Sequence, residues 1–245
     1  MKSLYESLLD DFDTLNSNID PLEEIKQFLE ENYEGEYIIS KKPNKDGLYE
    51  VSSYGDIRIK NLNITSLTND LFVWTKANKS FYGNYSKFLT SLEGAPKEVG
   101  GNFSFYDCDS LTSLKGAPEK VGGDFYCIAC DSLKSLEGAP KKVGGNFNCS
   151  DCQSLPSLKG APEEVDGFFF CRFCTAIKSL EGAPKKVGDK FSCVHCKSLK
   201  SLKGMPKEIG GDLECYGVDI KFTRKDIEKI SKVGGLIIGE EGALW

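Results

Sequence analysis

At 245 residues, with 40% hydrophobic and 28% charged content, the chain can bury a substantial core and has the balance of an ordinary soluble protein. No run of about 18 apolar residues offers a membrane span, and the start, MKSLYESLLDD, is acidic where a secretory signal needs a basic and then an apolar region, so a cytoplasmic protein is expected. The net charge of −6 divides into −9 over residues 1–36 and +3 over residues 37–245, too little for the strongly basic face of a nucleic-acid binder.

Leu4, Leu8, Phe12 and Leu15 form a helical stripe. Asp20 followed by Pro21 reads as the N-cap and first residue of a second helix, with Glu23 and Glu24 in its first turn and Leu22, Ile25, Phe28 and Leu29 on its apolar side. Residues 1–36 are therefore expected as an acidic helical hairpin that caps whatever follows; an independent partner-binding role is the alternative. Residues 37–88 read as degenerate opening copies of a repeat. Tyr37 to Ile39 is apolar, Lys45-Asp46-Gly47 is a turn, Ile57, Ile59, Leu62, Ile64 and Leu67 fit one strand and its corner, and Phe72 and Trp74 are expected in the core.

Residues 89–220 are six copies of 22 residues, beginning at Leu89, Leu111, Leu133, Leu155, Ile177 and Leu199. One copy reads L-x-S-L-x-G-A-P-x-x-V-G-G-x-F-x-C-x-x-C-x-S. Phe147 and Cys149 alternate with Asn146, Asn148 and Ser150, the period-2 signature of a strand with one buried face. Gly144-Gly145 permits a corner before that strand, and Gly138-Ala139-Pro140 favours an extended or polyproline-like return path. A single copy cannot bury its apolar face, whereas stacked copies can. Residues 221–245 are expected as a C-terminal cap, with Thr223 and Asp226 capping a helix, Ile227 and Ile230 facing one way, and Leu236 to Ile238 as a last strand.

The spacing of Phe147, Cys149, Cys152 and Leu155 resembles the leucine-rich repeat form L-x-x-L-x-L-x-x-C-x-x-L. More narrowly, the chain resembles a family of phage and bacterial proteins built of tandem LTSLEGAPKEVGGDFDCSNN-type units, including their opening segment (GDIRIKNLNITSLT, from Gly55) and closing segment (IKFTRKDIEKISKVGG, from Ile220). The resemblance implies an α/β-type repeat solenoid that is leucine-rich-repeat-like, mostly strand and coil, with one parallel sheet, an N-terminal helical cap and a small C-terminal helix–strand cap. It implies a phage or bacterial source and, for a phage protein, the host cytoplasm. The motif brings no chemistry of its own.

Four copies hold C-x-x-C pairs: Cys127 and Cys130, Cys149 and Cys152, Cys171 and Cys174, Cys193 and Cys196, with Cys108 and Cys215 continuing one column each. Thiols from neighbouring copies invite a zinc reading. Phe105 and Val218 interrupt the two columns, which a packed core tolerates and a metal array does not. Core packing is therefore expected, with no metal and no cofactor. His195 is the only histidine and has no partner acid or base in sequence, and neither a phosphate-cradling loop nor a nucleophile elbow occurs, so no catalytic residue is expected.

Function is then left to the side chains between the repeated apolar positions. The fourth copy, GFFFCRFC, puts Phe168, Phe170 and Phe173 beside Arg172 on the face expected to be wet, the composition of an interface anchor. Tyr106, Tyr126, Ile128, Val194, His195 and Tyr216 extend this candidate surface over neighbouring coils. The expected function is protein recognition by a rigid concave sheet, such as binding and blocking a host defence factor. A homo-oligomeric or virion component is one alternative and a zinc-containing nucleic-acid binder another.

Overall fold

The structure is a computed structural model that describes residues 20–239. The first expected helix, at Leu4 to Leu15, lies outside those residues. The described chain is a β-solenoid with two ten-stranded sheets. This corrects the expectation of one sheet, and the reason lies within each copy. The Gly-Gly corner separates two extended passes: Lys142–Val143 before it and Phe147–Asn148 after it. Sequence reading recognised only the second. The valine passes pair in parallel from coil to coil (Val121, Val143, Val165, Val187), and so do the phenylalanine passes (Phe103, Phe125, Phe147, Phe169, Phe191). We call these the valine sheet and the phenylalanine sheet.

The core is a set of columns. Phe81, Phe103, Phe125, Phe147, Phe169 and Phe191 are fully buried, and successive rings lie 5.1–5.9 Å apart. Leu213 and Ile237 continue the column. All ten cysteines are buried and free. The second thiol of each pair donates to a carbonyl one coil back, Cys152 to Cys127 and Cys174 to Cys149 at 3.1 Å each and Cys196 to Cys171 at 2.9 Å. Cysteine serves here as a small apolar residue with one weak donor for a corner carbonyl. Burial pushes the Cys127 thiol well above its ordinary pKa, which keeps it protonated.

The return path opens on a turn. Ala139 N–H donates to the Leu136 carbonyl at 3.0 Å, and Gly138, at φ +101°, is the third residue of the turn. A Cβ there would stand 2.2 Å from the Leu114 carbonyl oxygen of the preceding coil, so the position admits only glycine.

At the N-terminal end, Asp20 caps the helix Pro21–Asn32 by accepting from Leu22 N–H at 3.0 Å. Ile25 and Leu29 are buried against the first coils, and the Tyr33 ring sits 5.4 Å from Trp74 and 6.0 Å from Phe81. Two antiparallel pairings close this end, Tyr33–Glu34 on Ile57–Ile59 and Tyr37–Ile39 on Tyr49–Ser53. At the other end Thr223 and Asp226 form a capping box on the helix Arg224–Glu228. Lys232–Val233 and Ile237–Ile238 then join both sheets, so the segment expected as a lid is also a further coil with a short helix inserted. Ile227 is buried, but Ile230 is exposed, against the expectation that the two share a face. Leu62, expected at a strand corner, is exposed as well. Among the described residues no helix is long and apolar enough to cross a membrane.

Candidate functional site: the outer face of the phenylalanine sheet

The two sheets present different surfaces. Along the valine sheet, charges of opposite sign pair from coil to coil: Lys120 with Glu98 at 2.7 Å, Lys186 with Glu208 at 3.5 Å, Lys142 with Glu164 at 3.7 Å. These pairs are exposed and add little energy, but they leave that face evenly charged. The phenylalanine sheet carries the side chains that vary.

Beside that sheet runs a ladder of side-chain acceptors, at the position before each core phenylalanine. Asn102 Oδ1 accepts from Asp124 N–H at 2.8 Å, Asp124 Oδ1 from Asn146 N–H at 2.8 Å, and Asn146 Oδ1 from Phe168 N–H at 2.9 Å. Asp56, Ser80 and Asp212 play the same part elsewhere. Phe168 and then Lys190 break the ladder, because neither side chain has an oxygen to offer the N–H one coil on, at Lys190 and at Asp212. Natural sequences usually depart from a local structural rule where function requires it.

Phe168, Phe170 and Arg172 alternate onto one side of the chain. Phe168 stacks on Phe170 with centroids 3.9 Å apart, and the Arg172 guanidinium lies 3.8 Å above the Phe170 ring. Phe170 is thus held between two neighbours and half-buried, rather than projecting as a free anchor. Arg172 Nε donates to Ser192 Oγ at 2.7 Å and its Nη2 to Glu214 Oε2 at 2.6 Å, two coils away. Lys190 Nζ holds the other oxygen of Glu214 at 2.9 Å. Burial pushes the Glu214 carboxyl up, but the bonds from Lys190 and Ser192 and the charge of Arg172 outweigh it and leave its pKa below the usual value. Bonding to Glu214 in turn raises Lys190. Beside this network a cleft of about 270 Å³ is lined by Arg172, Phe173, Val194, His195, Glu214 and Tyr216.

Phe173 and His195 reach this cleft through a backbone feature invisible in the residue pattern. Tyr85, Asp107, Ala129, Asp151, Phe173 and His195 all have φ between +53° and +65°, and Gly217 follows at +64°. They are one column at the period of 22. Each non-glycine member donates its N–H to the next coil, as Phe173 does to the Val194 carbonyl at 2.8 Å. Aspartate takes this conformation at small cost, whereas a large aromatic residue does so at about 1–3 kcal/mol. The inter-coil bonds hold Phe173 and His195 there, with rings 5.0 Å apart, and Tyr216 lies edge-on to His195 at 5.7 Å. A Cβ at position 217 would stand 2.1 Å from His195 Nδ1, so Gly217 makes room for the imidazole.

The structure therefore brings Phe168, Phe170, Arg172, Phe173, His195 and Tyr216 together. Val194 is buried and forms the cleft floor. Tyr126 lies on the same face but is engaged: its hydroxyl donates to Asp124 Oδ2 at 2.7 Å, and burial and that carboxylate push it up to about 12. Ile128 is half-buried two coils away. Tyr106 belongs to a different cluster, edge-on to Tyr85 at 5.5 Å. That cluster was missed in the sequence: Leu62, Tyr85 and Phe88 are exposed around a second cleft of about 430 Å³. The signal for Tyr85 was its position 88 residues, four periods, before Phe173.

Among the described residues no group of three or more His, Cys, Asp or Glu side chains is placed to hold a metal. No family model, curated protein or solved structure matches the chain.

Proposed function

We propose that the chain is a non-enzymatic protein-recognition solenoid whose binding surface is the outer face of the phenylalanine sheet around Phe168, Phe170, Arg172, Phe173, His195 and Tyr216. The observation that carries this reading is Phe168. With Lys190 it interrupts a ladder of backbone-satisfying side chains that Asp56, Ser80, Asn102, Asp124, Asn146 and Asp212 maintain, and, unlike Lys190, which bonds Glu214, it places an apolar ring on a wet face. A structural role would favour the acceptor, while an interface favours the ring. The surface is also rigid, since Arg172 is tied to Ser192 and Glu214 and the core below is columnar, so little entropy is lost on binding.

The resemblance to phage and bacterial repeat proteins supports a partner in the host cell, such as a defence factor, and inhibition by occupancy. The test is affinity capture from a bacterial host lysate with the native chain and with Phe170→Ser plus Phe173→Ser. The double variant keeps its circular dichroism spectrum and loses the captured protein. Equal capture by both would rule out this surface. Light scattering addresses self-association: a species of 27.0 kDa agrees with a monomeric binder, and a heavier one that the double variant abolishes would turn the reading to self-assembly.

A further inference from the structure

The two aromatic clusters are not independent features, because the left-handed column joins them. Tyr85 opens the column and Phe173 stands four coils on, with Asp107, Ala129 and Asp151 between and His195 following. Equal φ values and a repeated inter-coil hydrogen bond put these side chains in one row. Coils in a parallel sheet are about 4.8 Å apart, so Tyr85 and Phe173 are separated by about 19 Å. Each opens on a cleft. One, of about 430 Å³, lies among Leu62, Tyr85 and Phe88; the other, of about 270 Å³, lies among Phe173, Val194, His195 and Tyr216.

The middle of the row is acidic. Asp107 and Asp151 lie in it and Asp131 beside it, and among the described residues none of the three forms an ion pair, whereas neighbouring Asp109 is held by Lys87 at 3.5 Å. Asp151 is pushed above its ordinary pKa, by burial first and then by the charge of Asp131, so these two carboxylates crowd each other, while Lys87, which lines the Tyr85 cleft with Asp107, is paired with Asp109. The same acidic centre disfavours a phosphate backbone.

We propose, building on the recognition reading above, that this row docks an extended, basic segment of a protein partner. Two apolar anchor side chains about six residues apart enter the two clefts, since an extended chain rises about 3.3 Å per residue, and Lys or Arg side chains between them face Asp107, Asp131 and Asp151. Aromatic anchors and a complementary charge each have a place: the anchors supply binding energy, and the charges supply register and rate of encounter.

The experiment is selection of a random twelve-residue peptide library on the full chain. The expected winners carry two large apolar residues six apart with at least two basic residues between them. Their affinity falls about tenfold in Asp107→Asn with Asp151→Asn, as it does when added salt screens the charges. Asparagine tolerates the left-handed conformation, so the double variant keeps its fold. Winners that are acidic, that lack the spacing, or that bind the Asn variant equally well would overturn the proposal, and so would the absence of any winner. These failures are distinct from failure of the recognition reading, which is decided by lysate capture and the phenylalanine variants alone.

Discussion

Arg172 spans two coils to bond Glu214 at 2.6 Å, although the two residues are 42 positions apart in the chain. The guanidinium is thereby held over the Phe170 ring, and Glu214 stays ionised in a half-buried setting. Because its pKa in the folded state lies below that of the unfolded chain, the stability that Glu214 contributes is present above the ordinary carboxylate range and is lost as pH falls through the lowered value. Carboxyl NMR should find Glu214 titrating below the usual value near 4.3, and Arg172→Ala should move its midpoint upward. A midpoint unchanged by Arg172→Ala would mean that the bond does not persist in solution.

Phe168→Asn should separate stability from binding. The amide oxygen would restore the acceptor for the Lys190 N–H, as Asn146 provides for Phe168. One such hydrogen bond is worth about 1 kcal/mol, so the variant should unfold at higher urea concentration while its partner capture weakens. Loss of both stability and binding would show that the Phe168–Phe170 stack is structural.

Gly138→Ala and Gly47→Ala differ in a way that isolates coil contact from backbone strain. Both glycines have positive φ, but a Cβ at 47 meets open space, whereas at 138 it meets the Leu114 carbonyl. The first should cost about 1 kcal/mol. The second should exceed about 3 kcal/mol, because two coils must part as well. Equal costs in urea unfolding would mean that the coils are not in this contact.

The column of rings and thiols should behave as a dry interior. Phe147→Ala removes a ring packed 5.2 Å from Phe125 and 5.1 Å from Phe169, and should cost about 3–5 kcal/mol. A thiol reagent should modify none of the ten cysteines before the chain unfolds, and all of them afterwards. Rapid modification of the folded protein would place the cysteines at the surface.

The period of 22 made the coil legible from sequence, along with its inward residues: Phe147, Cys149, Cys152 and Leu155 are all buried as their spacing required. The second sheet was not legible, since a two-residue pass such as Lys142–Val143 is too short to show alternation. The site was half legible. The composition of GFFFCRFC marked the coil where Phe168, Phe170 and Arg172 pack together, but contacts between residues 20 or 42 positions apart, such as Arg172 with Ser192 and Glu214, depend on how coils stack. Nor could residue type disclose the left-handed column, because Tyr85 and Phe173 are poor formers of that conformation and adopt it only where the neighbouring coil imposes it. Leu62 was expected at a strand corner, and the drift of residues 37–88 from the repeat gave Phe88 no assigned position, so the exposure of both was not legible.

A stack of interchangeable coils gives the distance between Tyr85 and Phe173 a simple genetics. Duplication or loss of one 22-residue unit between them would open or close the gap by a single step of about 4.8 Å, leaving both end clefts intact. The molecule is in that respect a caliper with a stepped jaw, and recombination within its own gene could resize the span proposed for docking without inventing a new surface.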